Sequence, residues 1–322
     1  MNSNQSPGLR ATGTALPERF LPLSELPLVS PAENMAAFGF AGAFVADDIY
    51  TLAQTASRKA LTAAALAPEH ISALLWAGAL PASHLSTSGT PAGNVLDGFC
   101  FSASRLQDEL GLTHASVCGI AQQGCAGMFA ALRHARALLL AEPELEHILC
   151  VGADALPAGS QREILYNVIS DAACACVISR RQVFLRWLSE AWISKGWYWD
   201  VPARQAEIIA SYFPTSRAAI SQALAKAGIA PGDIDFVIPT GINAASWPVL
   251  LRLCGIPEER LYQPKQRIGH TISADTILML EEARSAGCLQ PGMKLLLITY
   301  GFGSSWCAAV VEVTEPSAAA LL

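Results

Sequence analysis

One segment of this chain occurs twice. Leu66-Ala67-Pro68-Glu69-His70-Ile71-Ser72-Ala73-Leu74-Leu75 aligns without a gap to Ile229-Ala230-Pro231-Gly232-Asp233-Ile234-Asp235-Phe236-Val237-Ile238. Each copy reads as a helix end, a turn carrying proline and an apolar strand, and each follows an alanine-rich helical pattern, at 52–66 and at 215–228. Such a repeat constrains the fold more than any single residue, because both copies must bury the same faces in the same order. The chain is therefore read as two like halves, 1–180 and 181–322.

A second correspondence places chemistry on the repeat. Gly124-Cys125 precedes a helical pattern at 126–141, much as Gly269-His270 precedes one at 273–286, and each helix leads into an apolar strand, 148–152 or 294–300. Alternation of strand and helix predicts an α/β protein with largely parallel sheets and helices on their faces. Ligands then gather at strand carboxyl ends. Between the halves, Arg180 to Arg204 reads as a less regular stretch rich in aromatics, Trp187, Trp192, Trp197, Tyr198 and Trp199. These residues fit burial of a long connection, or the roof of a tunnel.

Composition excludes several classes. With 52% hydrophobic and 15% charged residues, the 322-residue chain can bury a large core, yet it has no uninterrupted segment of membrane length. A net charge of −6 argues against a nucleic-acid binder. Met1 to Pro7 is polar and lacks a basic region followed by an apolar stretch, so the cytoplasm is the expected compartment. The nine cysteines are scattered rather than spaced as a disulfide framework. Cys174 and Cys176 alternate with small residues in a strand pattern and are read as core, and no cofactor or metal site is evident.

Cys125 stands apart, in Gln122-Gln123-Gly124-Cys125-Ala126-Gly127-Met128 at the start of an apolar helix. Unpaired N–H groups at a helix start favour the thiolate, and the flanking glycines leave room for a carbonyl to approach. A buried cysteine acting as a small hydrophobe fits the same residues. His270 is the acid or base candidate; at a helix start its charged form is disfavoured, so a neutral imidazole is expected. Asp275, close by in sequence on the following helix, receives no assigned role. His70, His84, His114, His134 and His147 show no partner pattern and receive none either.

Four ordered motifs, Gln122 to Gly127, Pro239-Thr240-Gly241-Ile242-Asn243, Arg267-Ile268-Gly269-His270-Thr271 and Tyr300-Gly301-Phe302-Gly303-Ser304-Ser305-Trp306, resemble those of thiolase-fold condensing enzymes. The resemblance is greatest to the β-ketoacyl-acyl-carrier-protein synthase III branch. It implies a thiolase-like, pseudo-duplicated αβαβα layered fold, normally a homodimer. It also implies an acyl-cysteine at Cys125 and an oxyanion hole built from the backbone N–H groups of Cys125 and Phe302.

The chain departs from that pattern in three places. Thr240 replaces a histidine, His270 replaces an asparagine, and Phe302 replaces the central residue of a triple glycine, while Asn243 is kept. Threonine cannot act as a base near neutral pH. The expected activity is acyl transfer from a Cys125 thioester to a second substrate, with His270 as base, in specialised metabolite biosynthesis. Alternatives are a decarboxylative condensing enzyme using His270 and Asn243, and a non-catalytic partner of an active homologue. The donor is an acyl thioester on a carrier protein or on coenzyme A. Residues 33–48 hold no counterpart of the family's nucleotide grip, so free coenzyme A is disfavoured, and Lys265 and Arg267 are candidates for carrier recognition.

Overall fold

The computed structural model describes residues 6–80, 101–265, 267–302 and 304–314. His84 and Gly303 therefore lie outside the described residues. The first part of the chain runs β1 (Gly8–Ala15), β2 (Phe20–Pro22), α1 (Ala32–Ala37), β3 (Gly42–Phe44), α2 (Ile49–Ala64), β4 (Ala73–Ala77), α3 (Ser102–Leu110), β5 (Ser116–Ile120), α4 (Gly127–Ala141), β6 (His147–Asp154), β7 (Glu163–Ile164), β8 (Asn167–Val168) and β9 (Ala172–Ser179). The second runs β10 (Leu185–Ser194), α5 (Gln205–Ala227), β11 (Phe236–Ile238), α6 (Ser246–Cys254), α7 (Asp275–Ser285), β12 (Lys294–Gly301) and β13 (Ser305–Val313).

The repeat seen in the sequence is a repeat in space. Helices α2 and α5 both end in a left-handed residue, Ala65 (φ 51) and Gly228 (φ 67), which turns the chain out of the helix. Each is followed by a short turn opened by proline, Pro68–His70 or Pro231–Asp233, and then by a buried strand, β4 or β11. Strand order across the sheet is β11-β12-β13-β10-β1-β9-β6-β4-β5. Outward from the centre, β1-β9-β6-β4 mirrors β10-β13-β12-β11 in direction as well as order: antiparallel, antiparallel, then parallel. The two sets meet at a single described pair, Leu9 opposite Leu185.

Two expectations change. The sheet is mixed, with parallel strand pairing among the described residues at β4–β5, β4–β6 and β11–β12 alone, because β9 and β13 return antiparallel to the strands beside them. For β13 the cause is the short connection from Gly301 to Ser305, which permits only a hairpin. The stretch read as irregular contains β10, which pairs with β13 along nearly its whole length and occupies the place that β1 holds in the other set.

Burial defines five layers. Helices α2 and α3 pack on one outer face, against Leu74, Val151 and Val177. Helices α5 and α6 pack on the opposite outer face, against Val237, Leu296 and Val310. Between the two halves of the sheet lie α4 and α7, whose Met128, Leu132, Ile277 and Leu280 share one cluster with Cys150, Cys174, Cys176, Leu297 and Ala309. Strands covered on both faces read as continuous apolar runs of small and β-branched residues, as β9 and β13 do. This is the αβαβα thiolase-like arrangement. The two middle helices begin beside each other, which brings the turn before α4 and the loop before α7 together. Among the described residues no helix is long and apolar enough to cross a membrane.

Candidate active site

Cys125 lies in a one-turn helix, Gly124–Ala126, that runs directly into α4. Its N–H stands too early in that turn to find a carbonyl partner there. Gly124 is left-handed (φ 50), and Gln122 before it is also left-handed (φ 66), an unfavourable state for a residue with a side chain. The chain is thus folded sharply to present the sulfur. Glycine is required at two crossings. A Cβ on Gly301 would lie 2.8 Å from the Cys125 nitrogen, and one on Gly124 would lie 2.5 Å from the Phe302 nitrogen. The backbones of 123–126 and 301–302 therefore touch, with the N–H groups of Cys125 and Phe302 on adjoining strands of chain. Phe302 itself does not take a left-handed φ, so a side chain is tolerated where the family pattern has glycine.

The loop before α7 carries His270, whose backbone is held on both sides by the end of β8 and the residues that follow it. Its N–H donates to Val168 O at 2.6 Å, and its carbonyl accepts from Ser170 N at 2.9 Å. Nε2 of His270 lies 3.0 Å from Sγ of Cys125. On the other side of the ring, Nδ1–H donates to the Asp275 carboxylate, fixing which nitrogen faces the sulfur. Asp275 is buried and receives three further donors: Gly241 N at 2.6 Å, Thr271 N at 2.6 Å and Thr271 Oγ1 at 2.6 Å. Gly241 must be glycine, since a Cβ there would stand 2.8 Å from Oδ1 of that carboxylate.

This arrangement corrects the neutral imidazole expected at a helix start. His270 precedes α7, and Asp275 is the residue at the start of that helix. Burial is the largest influence on the ring and pushes its pKa down, but the Asp275 carboxylate, followed by Cys125, outweighs it and holds His270 well above its ordinary value. Burial likewise pushes Asp275 up, while the charge and hydrogen bond of His270 and the bonds from Thr271 bring it below its ordinary value. The two form an ion pair in the interior.

The other sequence candidates fall around this centre. Thr240 is buried beside the loop whose next N–H holds Asp275. Asn243 lines the same cavity as Cys125 and His270, but its Oδ1 accepts from Ala245 N at 2.9 Å and its own N–H donates to Asn167 Oδ1 at 2.8 Å. Lys265 and Arg267 border a separate cavity of about 410 Å³ that reaches Asp275 from behind. Sequence reasoning missed Asp275 as a partner of His270. Its approach depends on Ile272, left-handed at φ 58, which folds the chain back within a few residues, and a β-branched residue is a poor advertisement for that conformation.

Cys125 and His270 open into a cavity of about 920 Å³. Trp76, Phe101, Tyr166, Trp199, Tyr212, Phe213, Tyr300 and Phe302 are among its walls, and no Lys, Arg, Asp or Glu occurs among its described lining residues. Among the described residues no group of His, Cys, Asp and Glu is arranged to hold a metal ion.

Comparison with known proteins agrees with this architecture. Residues 121–196 match the family model of 3-oxoacyl-[acyl-carrier-protein] synthase III, and residues 224–313 match its C-terminal model; together they cover just over half of the chain. The β-ketoacyl-[acyl-carrier-protein] synthase III of Nitratidesulfovibrio vulgaris (Miyazaki F) is 38% identical over 96 residues, 30% of this chain and 29% of that protein. A Vibrio cholerae synthase III is 25% identical over 237 residues, 66% of this chain and 65% of that protein. The matched stretches thus span less than two thirds of either relative. Two solved structures share the fold along nearly the whole chain. The acyltransferase ChlB3 gives a TM-score of 0.80 at 23% identity, covering 97% of this chain and 98% of that one. The 3-oxoacyl-[acyl-carrier-protein] synthase III of Aquifex aeolicus gives 0.80 at 22% identity, covering 95% and 99%. The repeat, the five layers and both family models lead to one conclusion: this chain belongs to the thiolase-fold, ketosynthase III-like family.

Proposed function

We propose that the protein is a cytoplasmic acyltransferase in which Cys125 takes an acyl group from a thioester and passes it to a second, protic substrate. The observation that carries this reading is the line of contacts Cys125, His270, Asp275, in which one imidazole is oriented by a carboxylate and faces one sulfur. A protonated imidazole beside a sulfur is the partner that thiolate nucleophiles use. The sulfur attacks the thioester carbonyl, the carbonyl oxygen takes negative charge opposite the N–H groups of Cys125 and Phe302, and the donor thiol leaves with a proton from His270. Acylation removes the contribution of the Cys125 sulfur to the raised His270 pKa and leaves that of Asp275. Having given its proton to the donor thiol, the ring is neutral, and the Asp275 carboxylate still favours its taking up a proton again. The ring accepts one from the incoming nucleophile, which displaces Cys125 and releases the acyl product.

Decarboxylative condensation asks for donors aimed at an enolate, and the geometry supports this less well. Asn243 keeps a side-chain NH2 while its oxygen accepts from Ala245 N, but the position that carries a histidine in the family pattern is Thr240. Apart from His270, which is paired with Asp275, the cavity offers no described cationic side chain to a malonyl carboxylate. The setting that fits is specialised metabolism, with a carrier protein as the donor carrier in preference to free coenzyme A. A homodimer is favoured by β5, the last strand of the sheet among the described residues, where Val117 and Cys118 are exposed on a surface that pairing with a second copy would cover.

The test is incubation with acyl thioesters followed by intact-mass measurement. An adduct on the wild type and none on Cys125→Ala is the expected result, with no carbon dioxide released from malonyl donors. Carbon dioxide release dependent on Asn243 would favour the condensing enzyme instead. Absence of any adduct across a broad panel would favour a non-catalytic partner.

A further inference from the structure

The hairpin β7–β8 turns through two residues, Leu165 (φ 47) and Tyr166 (φ 66), both left-handed. Two-residue hairpin turns of this kind are built from Asn-Gly, Asp-Gly or Gly-Gly, because bulky side chains are strained there. The surroundings enforce the turn. Glu163 accepts from Val29 N at 2.9 Å and Ser30 N at 2.7 Å, and Asn167 spans from Leu165 O at 2.9 Å to Asn243 N at 2.8 Å. Immediately after β8 the same segment holds the His270 backbone, so the hairpin cannot shift without disturbing the imidazole. Strain sustained in this way is found where the side chains serve a site.

Both side chains line the 920 Å³ cavity. Tyr166 is 53% exposed and stands at the mouth with Phe101, 67% exposed, and Trp199, 79% exposed. A mouth built to grip phosphates or amides would present cations and paired polar groups. This one presents apolar surface.

We propose that Leu165 and Tyr166 are specificity-determining residues, held left-handed so that two apolar side chains wall the cavity mouth and select a bulky uncharged acyl group over a short or anionic one. The inference rests on the reading that this cavity receives the acyl thioester. Packing of Tyr166 against Phe38, with ring centroids 6.0 Å apart, is the competing reason for its presence.

Octanoyl-, acetyl- and succinyl-pantetheine analogues with an amide in place of the thioester measure the selection by calorimetry, since Cys125 cannot cleave them. The wild type is expected to bind the octanoyl analogue at least about tenfold more tightly than the other two. Leu165→Asn/Tyr166→Gly gives the turn the residues its backbone favours. It is expected to raise Tm by about 2–4 °C, from relief of strain, and to weaken octanoyl binding about tenfold, while acetyl binding stays within about twofold. Tyr166→Ala should weaken octanoyl binding without raising Tm. A fall in Tm for the double variant, or an unchanged octanoyl preference, would overturn the proposal. Intact-mass acylation by the true thioesters is scored separately: selective binding with no acyl-Cys125 refutes the catalytic reading and leaves the selectivity standing, and the reverse result does the opposite.

Discussion

The two halves of the sheet share strand order and direction, yet the loops they bring to the centre are unlike. Before α4 the chain makes one tight helical turn and presents Cys125 directly at the helix start. Before α7 it takes a longer path, pairing His270 with the strand segment after β8 and bending at Ile272, and the helix start goes to Asp275. Equivalent places in a duplicated frame therefore hold a cysteine on one side and a hydrogen-bonded histidine–aspartate pair on the other. Duplication supplies proximity; divergence of one loop supplies the chemistry.

The most severe way to break this asymmetry is to move the imidazole back to the family's arrangement. His270→Asn with Thr240→His keeps one histidine but removes the ring from its carboxylate. Acyl transfer is expected to fall by about 10³-fold or more, because a positioned general base contributes about 10² to 10⁴-fold and Asp275 is left without its partner. The rate of acyl-Cys125 decay in the presence of acceptor measures it. Recovery of wild-type transfer by the double variant would show that the frame tolerates the base at either place.

Asp275→Asn leaves the frame intact and removes only the charge. A loss of about 10² to 10⁴-fold in acylation is expected, by analogy with carboxylates that orient a catalytic imidazole. The pH at which the ring loses its proton should move downward, since Asp275 is what raises it. Stability follows the same signs. The raised His270 pKa contributes stability that is complete below the ring's unfolded value and is lost as pH rises through the folded one. The depressed Asp275 pKa contributes stability that is complete above its unfolded value and is lost as pH falls through the folded one. Both are complete between roughly pH 4 and 6.5, where unfolding curves of wild type and variant should differ most. A difference that grows steadily above that range would contradict the ion pair.

These outcomes also mark what the sequence made legible. The repeat was readable because it rests on local periodicity, the layer order was readable through the family resemblance, and Cys125 and His270, 3.0 Å apart in the structure, stood out as residues whose chemistry is fixed by type. The length of α5 was not readable: the pattern begins at 215 because Pro214 reads as a break, whereas the helix starts at Gln205 and carries the proline inside it. Strand β10 was obscured by its aromatics. Asp275 was obscured by geometry, because its meeting with His270 is made by a left-handed isoleucine and by Gly241, a glycine that looks like an ordinary turn residue until a carboxylate is placed against it.

A third perturbation strikes the crossing of the two loops. Gly301→Ala places a Cβ against Gln123 O and within 2.8 Å of the Cys125 nitrogen, so one of the two backbones must give way. Overpacking of this kind costs about 1–3 kcal/mol, and the same displacement should impair acylation through the Cys125 and Phe302 N–H groups. Thermal unfolding and acylation rate should fall together. A variant that lost stability but acylated normally would separate the crossing from the oxyanion role.

The mildest perturbation asks whether the copies are interchangeable where no chemistry intervenes. Gly228 closes α5 in a left-handed conformation that suits it, and Ala65 closes α2 in the same conformation against the preference of its Cβ. Ala65→Gly relieves that strain but also loosens the unfolded chain, and the two effects oppose each other. The left-handed penalty for a residue with a side chain, about 1–2 kcal/mol, exceeds the unfolded-state entropy of about 0.4–1 kcal/mol, so a net gain of several tenths of a kcal/mol is expected. Gly228→Ala should lose a comparable amount, and neither change should alter acylation. If Ala65→Gly instead destabilised the protein, the two helix ends would match in backbone but not in energetics, and packing around Ala65 would be what sets them apart.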